Sequence, residues 1–399
     1  MSASVAKTIA VQTRLCPVPS STAPSSFSVH LDMIRGLAAV AVLFGHGRNL
    51  LFGSYAAMSG AAELVHHQEG GRGLGDQAVI VFFVMSGFLI GSSVLKALRT
   101  RSWSWSDYLL NRMSRLWVVL IPALLIGTLW DRAGLGLYGQ SDLYLGRGWQ
   151  SVLEGTVASK LGLKVLFGNY LFLQTISVPY FGSNCALWSL AYEFWFYLLF
   201  PIILLAVWRN TPVRSRIFYA TLSVLIANFV GLSVLSGFVL WLLGVGISVL
   251  PAPPSGKLTT LATCFSFLLL LGAVGVTRAV PLPFFAADLI VAAGCCSFLY
   301  ALRGYQNACP VRMYRVVANW LARSSYTLYL VHLPPMVFLA TAMHAPWKLQ
   351  SGHTMLFLLL LLAILLYANV LYLLFEANTA RVRHFAAGVF YVMPRNLKA

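Results

Sequence analysis

The chain consists largely of long apolar runs, and shorter segments between them carry most of its Lys and Arg residues. A helix that spans a bilayer needs about 20 predominantly apolar residues. About ten runs approach this length, which predicts an all-α, polytopic integral membrane helix bundle. The predicted spans are 33–51, 77–95, 116–131, 185–207, 217–235, 237–250, 258–277, 283–302, 325–344 and 354–376. The apolar segment 164–176 is shorter, which favours a re-entrant or interfacial position.

The distribution of positive charge predicts the orientation of the bundle, because cytoplasmic loops retain Lys and Arg. With the N-terminus inside, about 20 of the 28 basic residues fall on the cytoplasmic side. We therefore expect both termini in the cytoplasm. Residues 1–30 are rich in Ser, Pro and Thr and are predicted to be a disordered N-terminal tail. Residues 31–378 form the predicted membrane domain, and 379–399 a cytoplasmic C-terminal tail.

Composition excludes an ordinary soluble protein. Of the 399 residues, 59% are hydrophobic and 10% are charged, whereas soluble domains carry about a quarter charged residues. The net charge of +17 accompanies apolar runs and no Lys-rich stripe, so we expect a lipid bilayer as partner and no nucleic acid. The six cysteines show no spacing typical of a metal site, and no metal or bound cofactor is predicted.

The first span, LDMIRGLAAVAVLFGHGRN, places two basic side chains at membrane depth. Arg35 and His46 are eleven residues apart, so on a helix they lie on one face and ~16 Å apart along the axis. A cation at the cytoplasmic entrance and a deeper imidazole indicate a binding track that ends in a base. The structural alternative is a snorkelling arginine and a histidine bonded to a neighbouring helix.

Two further sites carry polar side chains near or inside predicted spans. Arg112 and Arg115, in NRMSRL, project together on a helix and would clamp a phosphate or merely mark the cytoplasmic side. Glu193, in LWSLAYEFWF, would be costly in a bilayer without a partner. It would pair with His46 as an orienting carboxylate, pair with a deep arginine, or form a purely structural ion pair.

Three more residues have either a substrate-contacting or a structural interpretation. Ser86, in FFVMSGFLIGSS, would allow close helix packing or line a narrow pore. Trp188 precedes Glu193 in the motif W-S-L-x-x-E. His332, in SSYTLYLVHLPP, precedes two prolines and would bind substrate or form a hydrogen bond between helices.

In combination, these motifs resemble the membrane acyltransferases of family 3. LDMIRGLAAVAVLFGH, FFVMSGFLI, NRMSRL, LWSLAYEFWFYLLFP and SSYTLYLVHLPP occur in the order and spacing of that family, over about residues 32–378. The resemblance implies an acyltransferase domain at 31–378 in the plasma (inner) membrane of a bacterium, of the NodX or succinoglycan-succinylating type. It also implies transfer of an acetyl or succinyl class group from cytoplasmic acyl-CoA to a hydroxyl of an extracytoplasmic carbohydrate or glycoside.

The same resemblance assigns roles to individual residues. It implies that His46 is the catalytic base or a transient acyl carrier, that Glu193 acts with it, and that Arg35, Arg112 and Arg115 bind acyl-CoA. Some relatives carry a fused hydrolase-like domain, and any acceptor-handling partner of this chain would be a separate protein. Where the family usually has Glu-x-Pro, this chain has Glu376-Ala377-Asn378.

Two other functions remain to be distinguished from an enzyme. A multi-span transporter or flippase for a glycan or small anionic solute also places ionisable residues at mid-depth, usually at paired broken helices. A non-catalytic membrane scaffold explains the apolar composition but not the register of Arg35 and His46.

Overall fold

The computed structural model of the chain describes residues 26–52, 73–147, 153, 155–305 and 311–392. These residues form twelve α-helices, two short 3-10 helices and no strand. The helices are α1 Ser26–Leu51, α2 Leu74–Arg99, α3 Trp105–Tyr138, α4 Leu163–Tyr170, α5 Leu187–Val207, α6 Val213–Val249, α7 Lys257–Ala279, α8 Phe284–Gly304, α9 Arg312–Val331, α10 Leu333–Ala342, α11 Ser351–Leu374 and α12 Thr379–Val392. Eight helices in the described ranges are long and apolar enough to cross a membrane, so a polytopic helical bundle is the fold.

Several helix ends differ from the predicted ones. Helix α1 already covers Ser26, inside the segment predicted as a tail, and the tail residues 1–25 lie outside the described residues. Helix α3 begins at Trp105, eleven residues before the predicted span, because Ser104 caps it by accepting the Asp107 N–H. The motif with Arg112 and Arg115 is therefore part of a long helix and not of a connecting loop.

Helix α6 reverses its direction at Gly231. This residue has φ 78°, a left-handed conformation that glycine adopts without steric cost. Before Gly231 the chain runs antiparallel to α5, and after it the chain runs parallel to α5. The contacts that show this are Ala206 with Arg216 and Trp195 with Phe229, then Phe196 with Phe238 and Phe200 with Trp241. The two halves correspond to the predicted spans 217–235 and 237–250, with the boundary at Gly231.

Helices α9 and α10 together follow α1 in parallel along its whole length. The contacting pairs are His30 with Tyr314, Gly36 with Leu321, His46 with His332, and Phe52 with Trp347. The predicted span 325–344 is thus two helices that meet at His332. Pro334 and Pro335 occupy the first turn of α10, where their missing N–H groups leave no hydrogen bond unmade.

Helix α2 lies at the centre of the bundle, between α1, α5, α6 and α8. Its closest approach is to α6, where a Cβ added to Gly87 would lie 1.9 Å from the carbonyl oxygen of Trp241. Helix α7, in contrast, is mostly exposed, with Leu258 81% and Phe265 68% accessible, as expected of a lipid-facing helix.

One end of the bundle carries a concentration of arginines, and we call it the basic end. It is the end at which α2 and α5 finish and α3 and α6 begin, and it includes Arg99, Arg101, Arg209 and Arg214. Because α1 and α9 run in parallel away from it, Arg35 lies nearer to the basic end than His46 does.

Candidate active site

Two histidines from distant parts of the chain meet in the groove between α1, α2 and α9. His46 Nδ1 lies 2.8 Å from His332 Nε2, and the two rings stack with centroids 5.1 Å apart. His332 is fully buried, whereas His46 is partly exposed. The Nε2 atom of His46 faces Gly75, where an added Cβ would lie 3.8 Å away. One of the two roles predicted for His332 was a hydrogen bond between helices. That bond is present, and His46 is the partner of His332 in it.

The hydrogen bonds of this pair define which nitrogen of His46 can act as a base. His332 Nδ1 lies 2.9 Å from the carbonyl oxygen of Leu328, which can only accept, so Nδ1 carries the proton. In the neutral ring Nε2 of His332 is then an acceptor, and His46 must donate to it from Nδ1. The assignment follows from heavy-atom geometry. It leaves Nε2 of His46 with a free lone pair, as a general base or nucleophile requires.

A cavity of about 100 Å³ lies between this histidine pair and the basic end. Arg35, Arg115 and Glu193 supply its charged walls, and Phe82, Phe83 and Tyr329 are among its aromatic ones. The Tyr329 hydroxyl lies 2.5 Å from Ser189 Oγ, and its ring centroid is 6.2 Å from that of His332. Tyr329 therefore connects the cavity with the histidine pair.

Glu193 has partners other than the ones predicted. It accepts hydrogen bonds from Ser86 Oγ at 3.0 Å and from the Tyr197 hydroxyl. Ser86 in turn accepts from Trp241 Nε1 at 3.1 Å. Of the alternatives predicted for Glu193, pairing with His46 is not the one seen, because His46 Nδ1 contacts His332. Two hydroxyl donors reduce the cost of a carboxylate at this depth.

The three predicted arginines lie on the same side of the molecule but do not form one clamp. Arg35 pairs with Asp32 at 3.0 Å, Arg115 lies 6.0 Å from the Tyr326 ring, and both line the cavity. Arg112 instead sits 5.9 Å from the Tyr197 ring, outside the cavity. The Nε atoms of Arg35 and Arg112 are buried and have no hydrogen-bond partner among the described residues. These unused donors would suit an anionic ligand.

The remaining predicted residue, Trp188, packs against aromatic rings. Its ring centroid lies 5.0 Å from that of Tyr192 and 6.1 Å from that of Phe83, in edge-to-face geometry. Because Phe83 lines the cavity, Trp188 supports the cavity wall from behind.

Comparison with protein families decides the identity of this helix bundle. A family model described as an acyltransferase domain, that of acyltransferase family 3, matches residues 29–373. The chain belongs to acyltransferase family 3. Comparisons of the acyltransferase with curated proteins and with solved structures found no match.

The acyltransferase has a further polar contact near the arginines that the sequence did not reveal. Glu376 Oε2 accepts hydrogen bonds from the backbone N–H and the hydroxyl of Thr327, at 3.2 and 2.6 Å. This contact connects the 3-10 helix Glu376–Asn378, which follows α11, to the C-terminal part of α9, close to Tyr326 in the cavity wall. The nearby Arg381 donates to Asn378.

A second polar network of the acyltransferase lies at the end opposite the basic end. Asp131 is 1% exposed and accepts from the backbone N–H and the hydroxyl of Ser183, at 2.9 and 2.6 Å. The Lys160 ammonium lies 3.8 Å from the Tyr180 ring centroid. Burial raises the pKa of the nearby Tyr144 phenol, which therefore stays protonated. The network stabilises the connection between α3 and α5, and no sequence pattern had indicated it.

Proposed function

We propose that the protein is a membrane O-acyltransferase that moves an acetyl or succinyl class group from cytoplasmic acyl-CoA to a hydroxyl of an extracytoplasmic carbohydrate or glycoside. The observation that carries this proposal is the His46–His332–Leu328 hydrogen-bond chain, which leaves His46 Nε2 as a base. Membership of an acyltransferase family supports the reaction class. The motifs resemble those of the NodX or succinoglycan-succinylating type.

The proposed topology has ten crossings with both termini in the cytoplasm of a bacterium and the chain in its plasma membrane. The reversal of α6 at Gly231 supports two crossings within one helix of 37 residues. The parallel course of α9 and α10 beside α1 supports a further crossing that ends near Trp347. The basic end then faces the cytoplasm, in agreement with the positive-inside rule.

Acyl-CoA would enter from the basic end with its diphosphate near Arg35, Arg112 and Arg115. The unused Nε donors of Arg35 and Arg112 support this placement. The pantetheine arm would occupy the cavity and pass Tyr329 to present the thioester near His46, which lies ~16 Å beyond Arg35 along α1. The acceptor would reach His46 from the opposite end, where a separate acceptor-handling protein would deliver it.

Two chemical routes are consistent with a free lone pair on His46 Nε2. In direct transfer, Nε2 takes the proton of the acceptor hydroxyl, the oxygen attacks the thioester carbonyl, and the CoA thiolate leaves and is protonated. In the acyl-enzyme route, Nε2 itself attacks the thioester carbonyl and the CoA thiolate leaves. The acceptor hydroxyl then attacks the acyl carbon and displaces the imidazole, and its proton is taken up by the thiolate. Glu193 would keep the cavity polar in either route.

The test is acyl transfer by His46→Ala in membrane vesicles supplied with labelled acetyl-CoA or succinyl-CoA, with mass spectrometry of the surface glycans. We expect loss of transfer while the protein still inserts. His353→Ala is the matched control, because His353 lies away from the histidine pair, with its Nδ1 against the Lys348 carbonyl and its ring stacked on Trp347. Transfer by His46→Ala at the wild-type rate would contradict the proposal.

A transporter or flippase is the second candidate, and the helix break between α9 and α10 beside His332 favours it. This function predicts solute uptake or glycan translocation by vesicles without any acylated product. Product formation that requires both acyl-CoA and His46 would exclude it.

A further inference from the structure

A second cavity of about 620 Å³ lies at the basic end, outside the site described above. It is formed by the segment after α2 and by the turn between α5 and α6. Its polar and aromatic walls are Arg101, Trp103, Trp208, Asn210, Ser215 and Tyr219. Its volume falls within the range of about 300–1,000 Å³ typical of small-molecule sites.

The position of this cavity relates it to the first one. Ile90 and Tyr197 line the inner cavity, and Leu98 and Leu205, eight residues further along the same two helices, line the second. Eight residues of α-helix correspond to about 12 Å. Both cavities therefore lie in the corner between α2 and α5, one about two helical turns beyond the other.

Aromatic rings and a guanidinium occupy the space between the two cavities. The Trp103 ring centroid lies 5.0 Å from that of Tyr108. The Arg112 guanidinium lies 5.9 Å from the rings of both Tyr108 and Tyr197, and Tyr197 lines the inner cavity. A ligand with a flat ring, then phosphates, then a narrow arm would match this order of surfaces from the basic end inward.

The backbone at Arg101 supports a binding role. Arg101 has φ 54°, an uncommon conformation for a residue other than glycine. Hydrogen bonds from the Thr100 and Ser102 N–H groups to Lys96 and Ala97 carbonyls hold the turn. Backbone strain of this kind clusters at ligand sites. The Trp103 Nε1 donor is also buried without a partner among the described residues.

We propose that this second cavity binds the adenine nucleotide of acyl-CoA, with the base against the Trp103, Trp208 and Tyr219 rings and the ribose 3′-phosphate on Arg101. The proposal rests on the proposed function, because it requires acyl-CoA as donor. From the basic end inward, bound acyl-CoA would then place its nucleotide in the second cavity, its diphosphate near Arg112, its pantetheine arm in the inner cavity and its thioester beside His46.

The experiment measures binding to the purified full-length protein in phosphatidylcholine nanodiscs. The probes are acetyl-CoA, acetyl-pantetheine, which lacks the nucleotide, and adenosine 3′,5′-bisphosphate, which lacks the arm. We expect Arg101→Gln and Trp208→Leu each to weaken acetyl-CoA binding about tenfold, the loss of one charged hydrogen bond or one stacking contact. Acetyl-pantetheine binding should stay unchanged, which also shows that the variants are folded. Arg99→Gln, the matched control, removes the same charge from an exposed residue that does not line the cavity.

Three outcomes would overturn the assignment. Acetyl-CoA binding by Arg101→Gln and Trp208→Leu with wild-type affinity would place the nucleotide elsewhere while leaving the proposed function intact. Displacement of acetyl-CoA by inorganic pyrophosphate as effectively as by adenosine 3′,5′-bisphosphate, or by anionic phosphatidylglycerol in the nanodisc, would show a general anion or lipid site. Absence of acetyl-CoA binding by the wild-type protein would instead refute the donor named in the proposed function.

Discussion

The hydrogen bond from His46 to His332 yields the sharpest prediction. Replacing His332 with Ala removes the acceptor for the His46 Nδ1–H group, 2.8 Å away, and leaves the ring free to rotate and to change tautomer. The lost bond contributes about 0.5–1.5 kcal/mol, and an unsatisfied buried donor costs about 1–3 kcal/mol more. Together these amount to about 1.5–4.5 kcal/mol, which corresponds to a fall in kcat of about 10- to 2,000-fold.

The assay is steady-state acyl transfer in vesicles at varied acyl-CoA. The KM for acyl-CoA should change less than about twofold, because His332 lies outside the cavity with the arginines. His332→Gln should recover part of the activity, since its amide oxygen can accept the same hydrogen bond. Wild-type kcat in His332→Ala, or a fall in kcat that Gln does not reverse at all, would refute the tautomer argument.

Three further predictions concern helix contact, donor binding and the network opposite the basic end. Gly87→Ala should lower stability by about 1–3 kcal/mol in a thermal unfolding assay, because its Cβ would lie 1.9 Å from a carbonyl oxygen of α6. Gly246→Ala, which meets open space, should not destabilise. Arg112→Gln and Arg115→Gln should each raise the KM for acyl-CoA, since Arg112 lies beside the proposed diphosphate position and Arg115 lines the inner cavity; an unchanged KM in both variants would contradict this. Asp131→Asn should destabilise by about 1–3 kcal/mol, because its amide NH₂ cannot accept from Ser183; an unchanged melting temperature would exclude a fastening role.

Hydropathy predicted the fold well because the backbone N–H and C=O groups of each span must form their hydrogen bonds within one apolar helix. Its errors fall where polar residues continue a helix beyond the apolar run. Helix α3 extends to Trp105 through the arginine motif, and α9 extends to Arg312, and neither extension is apolar. The N-cap at Ser104 was the local signal for the first of these.

The candidate site was predictable residue by residue but not pair by pair. The rarity of ionisable groups at depth identified His46, Glu193 and His332, since each costs free energy in lipid. The hydrogen-bond partners of these residues depend on how the helices pack against one another, and no local sequence pattern predicts that packing. In the structure the partner of His46 is His332 and not Glu193. Glu193 accepts a hydrogen bond from the hydroxyl of Tyr197, which lies on the same helix, α5.

The separation of the histidine pair along the chain has a consequence for biogenesis. His46 and His332 are 286 residues apart, an interval that takes roughly 15 to 60 s to synthesise at typical translation rates. During that time α1 resides in the bilayer without the helix that completes its groove. The hydrogen bond that fixes the proton of the His46 imidazole forms only when α9 inserts beside α1. Under the proposed function, a nascent or truncated chain would therefore not present an oriented base to acyl-CoA before the last third of the protein is in place.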